Sequence, residues 1–292
     1  MISFPNAKIN LGLNITKKRE DGFHEIESVF YPVKWQDALE ISPREDEKVH
    51  FRVEGMKKIQ EWEIGDLATE EEIADYRHID DLNPPRNLCE KAYSLMQEKF
   101  DIPGADIFLK KHIPIGAGLG GGSSDASFTL RMVNDLYNLN CSNEELKNLS
   151  AKLGSDCPFF IENRPMYVSG RGDEMEPIDL KLTGYHIVLI YPGIKISTKW
   201  AYKNISPQES EMDLKTIVKL DFTQWREHLK NDFQSVIVKE RPHIKKQIHQ
   251  LYDRGAVYAA MSGSGSTVFG IFRDFPEGIE YGPDDIHVTL PL

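Results

Sequence analysis

The stretch HIPIGAGLGGGSSDAS, residues 112–127, sets five glycines and three serines between an apolar, β-branched run and an amphipathic one. A plain turn needs one or two glycines. Five between Gly116 and Gly122, interrupted only by Ala117 and Leu119, demand a backbone that something approaches closely. Gly116, Gly118 and Gly121 spell the G-x-G-x-x-G of a dinucleotide fold, but such a fold needs an acidic residue ending a strand about 20 residues on. Here the chain reads LNCSNEELKNL, a helical pattern. Gly116 and Gly121 also have Walker-A spacing, yet Gly122 and Ser123 stand where that motif requires lysine and then serine or threonine. What remains is a cradle in which successive N–H groups and the positive end of the following helix converge on a phosphate. Neutralising charge must then come from a divalent metal and from cations elsewhere, Lys110 and Lys111 being nearest in sequence.

The rest of the chain narrows the setting. Its 292 residues suit one large or two modest domains, with two preferred, and 40% hydrophobic with 28% charged residues is ordinary for a globular protein. A formal charge of −11 opposes wholesale binding to nucleic acid or an anionic membrane, so any anionic ligand must be held locally. Cys89, Cys141 and Cys157 are odd in number and lack metal-like spacing, which argues against a disulfide framework or zinc site and fits a reducing cytoplasm. MISFPNAKINLGLNI shows neither the basic lead nor the apolar core of a signal peptide, and nothing in the chain approaches the roughly 20 apolar residues of a membrane span. The sequence specifies neither an oligomeric state nor a metal-ligand set.

Residues 7–15 alternate Ile9, Leu11, Leu13 and Ile15 with other residues, which predicts a strand with one buried face. A turn at DGFHEI leads into further strand. Residues 50–85 are charged and close on NPPR, predicting a loop-rich segment, and a helix is expected over 88–100. ADIFLKKHIPI reads as strand and SSDASFTLRMVNDLYNL as helix, with serine and aspartate at its front as capping groups. SNEELKNLSAKLG predicts a second helix from an N-cap at Ser142 to a stop at Gly154. Beyond about residue 161 strands (YHIVLIYPG, AVYAAMSGSGSTVFGIF) alternate with helices (DFTQWREHL, RPHIKKQIHQLYDRG), giving an α+β protein.

PIGAGLGGGSSDAS resembles the central ATP loop of the GHMP small-molecule kinases, and MSGSGSTVFGIF (261–272) resembles that family's third, glycine-rich motif. FPNAKINLGLNITKKREDGFHEIESVF, LGSDCPFF (153–160) and YPGIKISTKWAY (191–202) are similar to segments of its members that act on a cytidine-diphosphate polyol. The resemblance implies a two-domain fold with a deep cleft: a ribosomal-S5-like domain over 1–160 and a ferredoxin-like domain over 161–292. It implies ATP and Mg²⁺ as cofactors. The reaction it implies is transfer of the γ-phosphoryl group to the 2-hydroxyl of 4-(cytidine 5′-diphospho)-2-C-methyl-D-erythritol, releasing ADP, in non-mevalonate isoprenoid synthesis. Phosphorylation of homoserine or mevalonate, and a non-catalytic nucleotide sensor on the same scaffold, are the alternatives.

Residue roles follow from the same resemblance. Asp156 lies between Gly154 and Pro158, where it could simply cap a helix; the family makes it the general base. Lys8 shares a strand face with Asn10, opposite Ile9, and lysines so placed are usually solvated. The family instead puts Lys8 in the cleft beside the base, with Asn10 on the substrate. Phe23 and His24 become the cytosine stack and its hydrogen-bonding partner, faced by Tyr202 or by Trp200, with Thr198 near the cytidine. Phe23 stands where tyrosine is commoner, which keeps the π-face and drops a hydroxyl. The ATP side takes Asn87, Lys111, Pro114, Gly116, Gly118, Gly120, Gly121, Gly122, Ser123 and Ser124, the two serines touching phosphate or Mg²⁺ or merely capping the helix. Asp125 stands where asparagine is common in relatives.

Overall fold

The computed structural model describes residues 1–55, 87–210 and 212–292. Much of the loop-rich segment expected over 50–85 therefore lies outside the described residues, but Val49–Glu54 is a strand, alternating inward and outward at period two.

The long strand predicted at the N-terminus is β2, Asn6–Lys18, and it pairs antiparallel with β3, His24–Gln36. It differs from expectation in two ways. Both faces are buried, because the face carrying Lys8 and Asn10 is itself covered. The register also shifts between Leu11 and Leu13, a bulge at Gly12. One extra residue reverses the facing of everything beyond it. Ile9 and Leu11 accordingly join one core while Leu13 and Ile15 join another, so these side chains do not share a face.

Three four-stranded sheets are built among the described residues. Ile2–Ser3 (β1), Ala38–Pro43 (β4), Val49–Glu54 (β5) and Ala105–Lys110 (β6) make the first, in the order β1-β4-β6-β5. It packs through Ile41, Ile107 and Leu109 on the helices α1 (Leu88–Phe100) and α2 (Gly121–Leu136), which contribute Tyr93, Met96, Leu130 and Val133 to the same core. In the second sheet β2 and β3 are extended by β7 (Met166–Ser169) and β8 (Glu174–Pro177), so residues past the expected division at 160 pair with β3. Antiparallel pairings build the third, β10 (Tyr258–Met261), β11 (Val268–Phe272), β9 (His186–Tyr191) and β12 (Ile286–Pro291) in that order. One of its faces meets β2 and β3 through Leu189 and Phe269. The other receives the helices Asp232–Glu240 and Pro242–Asp253 through Ile237, Ile244 and Ile248. Thus β2, which carries Lys8, is held on both sides.

Two expected helix boundaries shift. The glycine-loop helix begins at Gly121 with Gly120 as its N-cap in the left-handed region, and no side chain caps it, so Ser123, Ser124 and Asp125 lie inside the helix. Ser142 does cap α3 (Asn143–Ser150), in a reciprocal box with Glu145, but the helix ends well before Gly154, through a turn at residues 151–153. No helix among the described residues is long and apolar enough to cross a membrane.

Candidate active site

The glycine turn threads between two walls that leave no room for side chains. Gly118 has φ +77°, and a Cβ there would stand 2.2 Å from the Ser262 carbonyl oxygen. Gly120, at φ +69°, would place a Cβ 3.0 Å from the Phe160 ring and 3.2 Å from Lys8 Cγ. Glycine alone therefore lets the turn lie directly on Lys8 while adopting a left-handed backbone. The Lys8 N–H donates to the Leu119 carbonyl at 2.9 Å, which fixes strand to turn.

Above the turn is a cavity of about 360 Å³, lined by Pro114 to Ser123 together with Val53, Asn87, Leu88, Lys111 and Asp125. The helical ladder of α2 opens with the Ser124 N–H bonded to the Gly120 carbonyl. The N–H groups of Gly121, Gly122 and Ser123 precede that ladder and have no intrahelical acceptor, the usual condition of a helix start. Apolar Val53 and Leu88 lie at the same cavity. Bare amides, a helix dipole and an apolar wall suit a nucleotide triphosphate.

The expected ATP-side residues separate here. Pro114, Gly116, Gly118, Gly120, Gly121, Gly122 and Ser123 line the cavity. So does Asn87, which also starts α1 by accepting the Cys89 N–H and pairing with Glu90. Ser124 does not: it is fully buried, its N–H belongs to the helix, and its hydroxyl has no hydrogen-bond partner among the described residues. Lys111 lines the cavity, but its ammonium is taken by two buried carboxylates, Asp37 and Asp125, the latter at 2.7 Å. Burial works to lower the Lys111 pKa, and the two carboxylates outweigh it, so the net shift is upward. The same burial pushes Asp125 up to about 7, with Lys111 opposing and Asp37 reinforcing it. Lys110 is exposed.

Lys8 and Asp156 meet. The Lys8 ammonium lies 3.4 Å from an Asp156 carboxylate oxygen, with the lysine side chain 5% exposed and the aspartate 34%. It also donates to Asn10 Oδ1 at 2.7 Å and stands 3.9 Å over the Phe30 ring. Burial lowers its pKa, with Asp156 pulling in the opposite direction. Asp156 occupies the N-cap position of α4, Cys157–Glu162, yet makes no capping bond. Its carboxylate is left for other work, and the plain reading of a helix-capping aspartate fails.

The second glycine turn closes this end. Ser262 Oγ donates to the Gly118 carbonyl at 2.8 Å and receives the Asn10 N–H at 3.3 Å. Asn231 in turn donates to the carbonyls of Met261 and Gly263 at 2.7 and 2.8 Å. Two distant glycine segments are thereby locked to the strand that carries Lys8.

At the other end aromatic groups gather from the start of β3 and from the helices Thr198–Asn204 and Asp232–Glu240. His24 and Tyr202 stack with centroids 4.9 Å apart, and Tyr202 meets Phe233 edge-on at 4.9 Å. Burial pushes the Tyr202 phenol up to about 12, with the Asp156 carboxylate adding to it. Tyr202 thus lies within electrostatic reach of the Lys8–Asp156 pair. Phe23, expected to share a base with Tyr202, is 55% exposed and carries the Arg171 guanidinium 5.1 Å from its ring; the stacked pair is His24 with Tyr202. Trp200 packs partly buried against the core of the third sheet. Thr198 shares a 3.0 Å hydrogen bond with Ser264 of the second glycine turn.

Family models described as GHMP kinases N terminal domain and GHMP kinases C terminal match residues 87–164 and 213–280. A Bacteroides thetaiotaomicron protein named 4-diphosphocytidyl-2-C-methyl-D-erythritol kinase is 46% identical over 280 residues, covering 95% of this chain and 93% of its own length. The chain belongs to the GHMP kinases. A Cytophaga hutchinsonii protein of the same name is 43% identical over 99% of both chains. Among solved structures, a 4-(cytidine 5′-diphospho)-2C-methyl-D-erythritol kinase superposes with TM-score 0.73 at 30% identity, covering 92% of this chain and 89% of that one. The mevalonate kinase of Methanococcus jannaschii, at TM-score 0.64 and 14% identity, shares the fold. The α+β GHMP kinase architecture expected from the motifs is the one observed.

Several residues of this GHMP kinase site escape a sequence reading. Asp37 is a lone acid between two strands, with no spacing to mark it. Asn231 sits in LKNDF, where an N-cap is the ordinary expectation, and it makes no capping bond to the helix Asp232–Glu240. Phe30 looks like any core aromatic until Lys8 is placed over it. Ser262 lies within MSGSGSTVFGIF, so the sequence does carry a signal there.

Proposed function

We propose that this GHMP kinase transfers the γ-phosphoryl group of ATP to the 2-hydroxyl of 4-(cytidine 5′-diphospho)-2-C-methyl-D-erythritol, giving the 2-phosphate and ADP in the cytoplasm, with no nucleic-acid or membrane partner. The observation that carries this reading is the uncapped Asp156 carboxylate, 3.4 Å from the buried Lys8 ammonium, which itself lies under Gly120 of the bare-amide turn. Near-identity in length and 43–46% identity to proteins named as that kinase support the choice of acceptor.

Phosphoryl transfer asks a protein mainly for positioning and charge stabilisation. In this reading the N–H groups of Gly121, Gly122 and Ser123 hold phosphate oxygens, with Asn87 and Leu88 toward the nucleoside. Asp156 accepts the proton of the attacking hydroxyl. Lys8, kept within reach by Asn10 and Phe30, pairs with Asp156 and offsets charge on the transferring group. Asn10 and Thr198 orient the polyol, while His24, Tyr202 and Phe23 receive the cytosine.

No cluster of three or more His, Cys, Asp or Glu side chains suited to a metal occurs among the described residues. Mg²⁺ fits nonetheless, since it keeps several waters and binds through phosphates with one or two protein oxygens. Among the described residues the Ser123 hydroxyl at the cavity and the partly exposed Asp156 carboxylate would hold it, and when bound it would neutralise triphosphate charge.

The test is incubation of the purified protein with ATP, Mg²⁺ and a panel of alcohols, with products followed by mass spectrometry. Phosphorylation of the cytidine-diphosphate polyol alone is expected. Product from homoserine or mevalonate, or ATP binding with no product, would overturn the reading.

A further inference from the structure

Beneath the phosphate turn lies a buried ionic cluster that the chemistry above does not use. The Lys111 ammonium, with a side chain 6% exposed, sits between Asp37, 0% exposed, and Asp125, 3% exposed. The three come from separate places: Asp37 is the single residue between β3 and β4, Lys111 follows β6, and Asp125 lies in the first turns of α2. Asp37 also accepts the main-chain N–H groups of His112 and Ile113, at 2.5 and 2.8 Å, through its second oxygen. It therefore grips the entrance of the glycine segment by backbone and side chain together. Lys111 passes that grip to the helix whose N-terminus supplies the amides.

Such a cluster is an odd choice for stability alone. Burying ions costs several kcal/mol each, as an order of magnitude, and a hydrophobic replacement often does as well. Its placement is odder still, because two carboxylates against one ammonium leave negative charge near a turn that must receive a phosphate. A cation recruited to bind phosphate would be expected to face the cavity unpaired. What the cluster does supply is a fixed junction at the cavity: β4 and β6 already pair from Ala38 and Lys110 onward, and the cluster ties that end of the pair to α2.

We propose that Asp37, Lys111 and Asp125 form a strut that sets the position of the phosphate-binding turn, making them positioning residues for ATP and not its ligands. The proposal rests on the reading of the glycine turn as the phosphate site. Asp125→Ala removes one end of the strut and, of the cavity lining, only the Asp125 carboxylate. Its dissociation constant for a non-hydrolysable ATP analogue should rise about tenfold or more, the scale of a lost charge-assisted hydrogen bond. KM for ATP should rise in step, while KM for the alcohol stays within about threefold and kcat falls less than KM rises. Asp125→Asn should recover the affinity to within about threefold, since its amide oxygen still accepts from Lys111. Asp37→Asn is the second arm. One amide oxygen can keep the His112 and Ile113 N–H groups, but the amide nitrogen then faces the ammonium, and ATP affinity should fall in the same way. This arm carries the test if Asp125→Ala does not fold.

Wild-type protein that binds no ATP analogue would remove the functional reading itself. Analogue binding unchanged in both folded variants would overturn the strut alone. So would an equal collapse of kcat and both KM values, which a general loss of packing would produce, or a failure of Asp125→Asn to recover affinity.

Discussion

The two ends of the site are built from opposite materials. At the phosphate end the working groups are main-chain amides, a 5%-exposed lysine and glycines pressed onto carbonyls and rings. At the end proposed for the cytidine they are side chains: Phe23, just before β3, is 55% exposed, and His24, which opens β3, stacks on Tyr202 of the helix Thr198–Asn204. Chemistry common to a whole family needs geometry that side-chain variation cannot disturb, and backbone packed against backbone provides it. Selectivity for one acceptor is better placed on side chains that can be exchanged without moving the frame. Lys8 and Asn10 link the two, since one strand presents both toward the Ser262 turn and the Asp156 carboxylate.

If this contrast is right, loss of Lys8 or Asp156 should appear in kcat, damage to the turn beneath the phosphates in ATP affinity, and damage at the proposed cytidine end in KM for the cytidine substrate. Asp156→Ala should lower kcat by about 10³-fold, within the usual range for loss of a general base, while ATP still binds in a calorimetric titration. Near-normal turnover would mean that another group takes the proton. Lys8→Ala should cost about 10²-fold in kcat, the scale of a lost charge stabiliser, in steady-state assays of the cytidine substrate. Gly118→Ala should act through the backbone. Its methyl meets the Ser262 carbonyl and demands a left-handed alanine, so stability in urea should fall by about 2 kcal/mol and ATP affinity with it. Phe23→Ala should be mildest, raising KM for the cytidine substrate about tenfold with kcat almost unchanged, because stacking binds ground and transition states alike. An unchanged KM would confine base recognition to His24 and Tyr202.

Much of the frame was legible in the chain because it depends on local rules. The period-two run at 7–15, the Ser142 capping box and the order strand, glycine turn, helix are each written in consecutive residues. Lys8 and Asp156 were legible as a pair only through resemblance, since 148 positions separate them and nothing local joins them. The bulge at Gly12 was not visible: alternation continues in the letters, and the slip arises from pairing with β3. Ser124 differs from its sequence expectation for a similar reason. A serine at a helix start suggests capping, but the left-handed Gly120 had already begun the turn and carried Ser124 inward. Lys111 stands out in the chain for its charge and its nearness to the glycines, and Asp37, which engages that charge, is 74 residues away.

The central claim is that Lys8 and Asp156 act as one unit at the mouth of the glycine cradle, and a double-mutant cycle in kcat on Lys8→Ala and Asp156→Ala tests it most directly. Residues that work as a unit are strongly non-additive, so the double variant should be scarcely slower than Asp156→Ala alone. If the two losses instead multiply in full, the ion pair is not the catalytic unit and the account of this site is wrong.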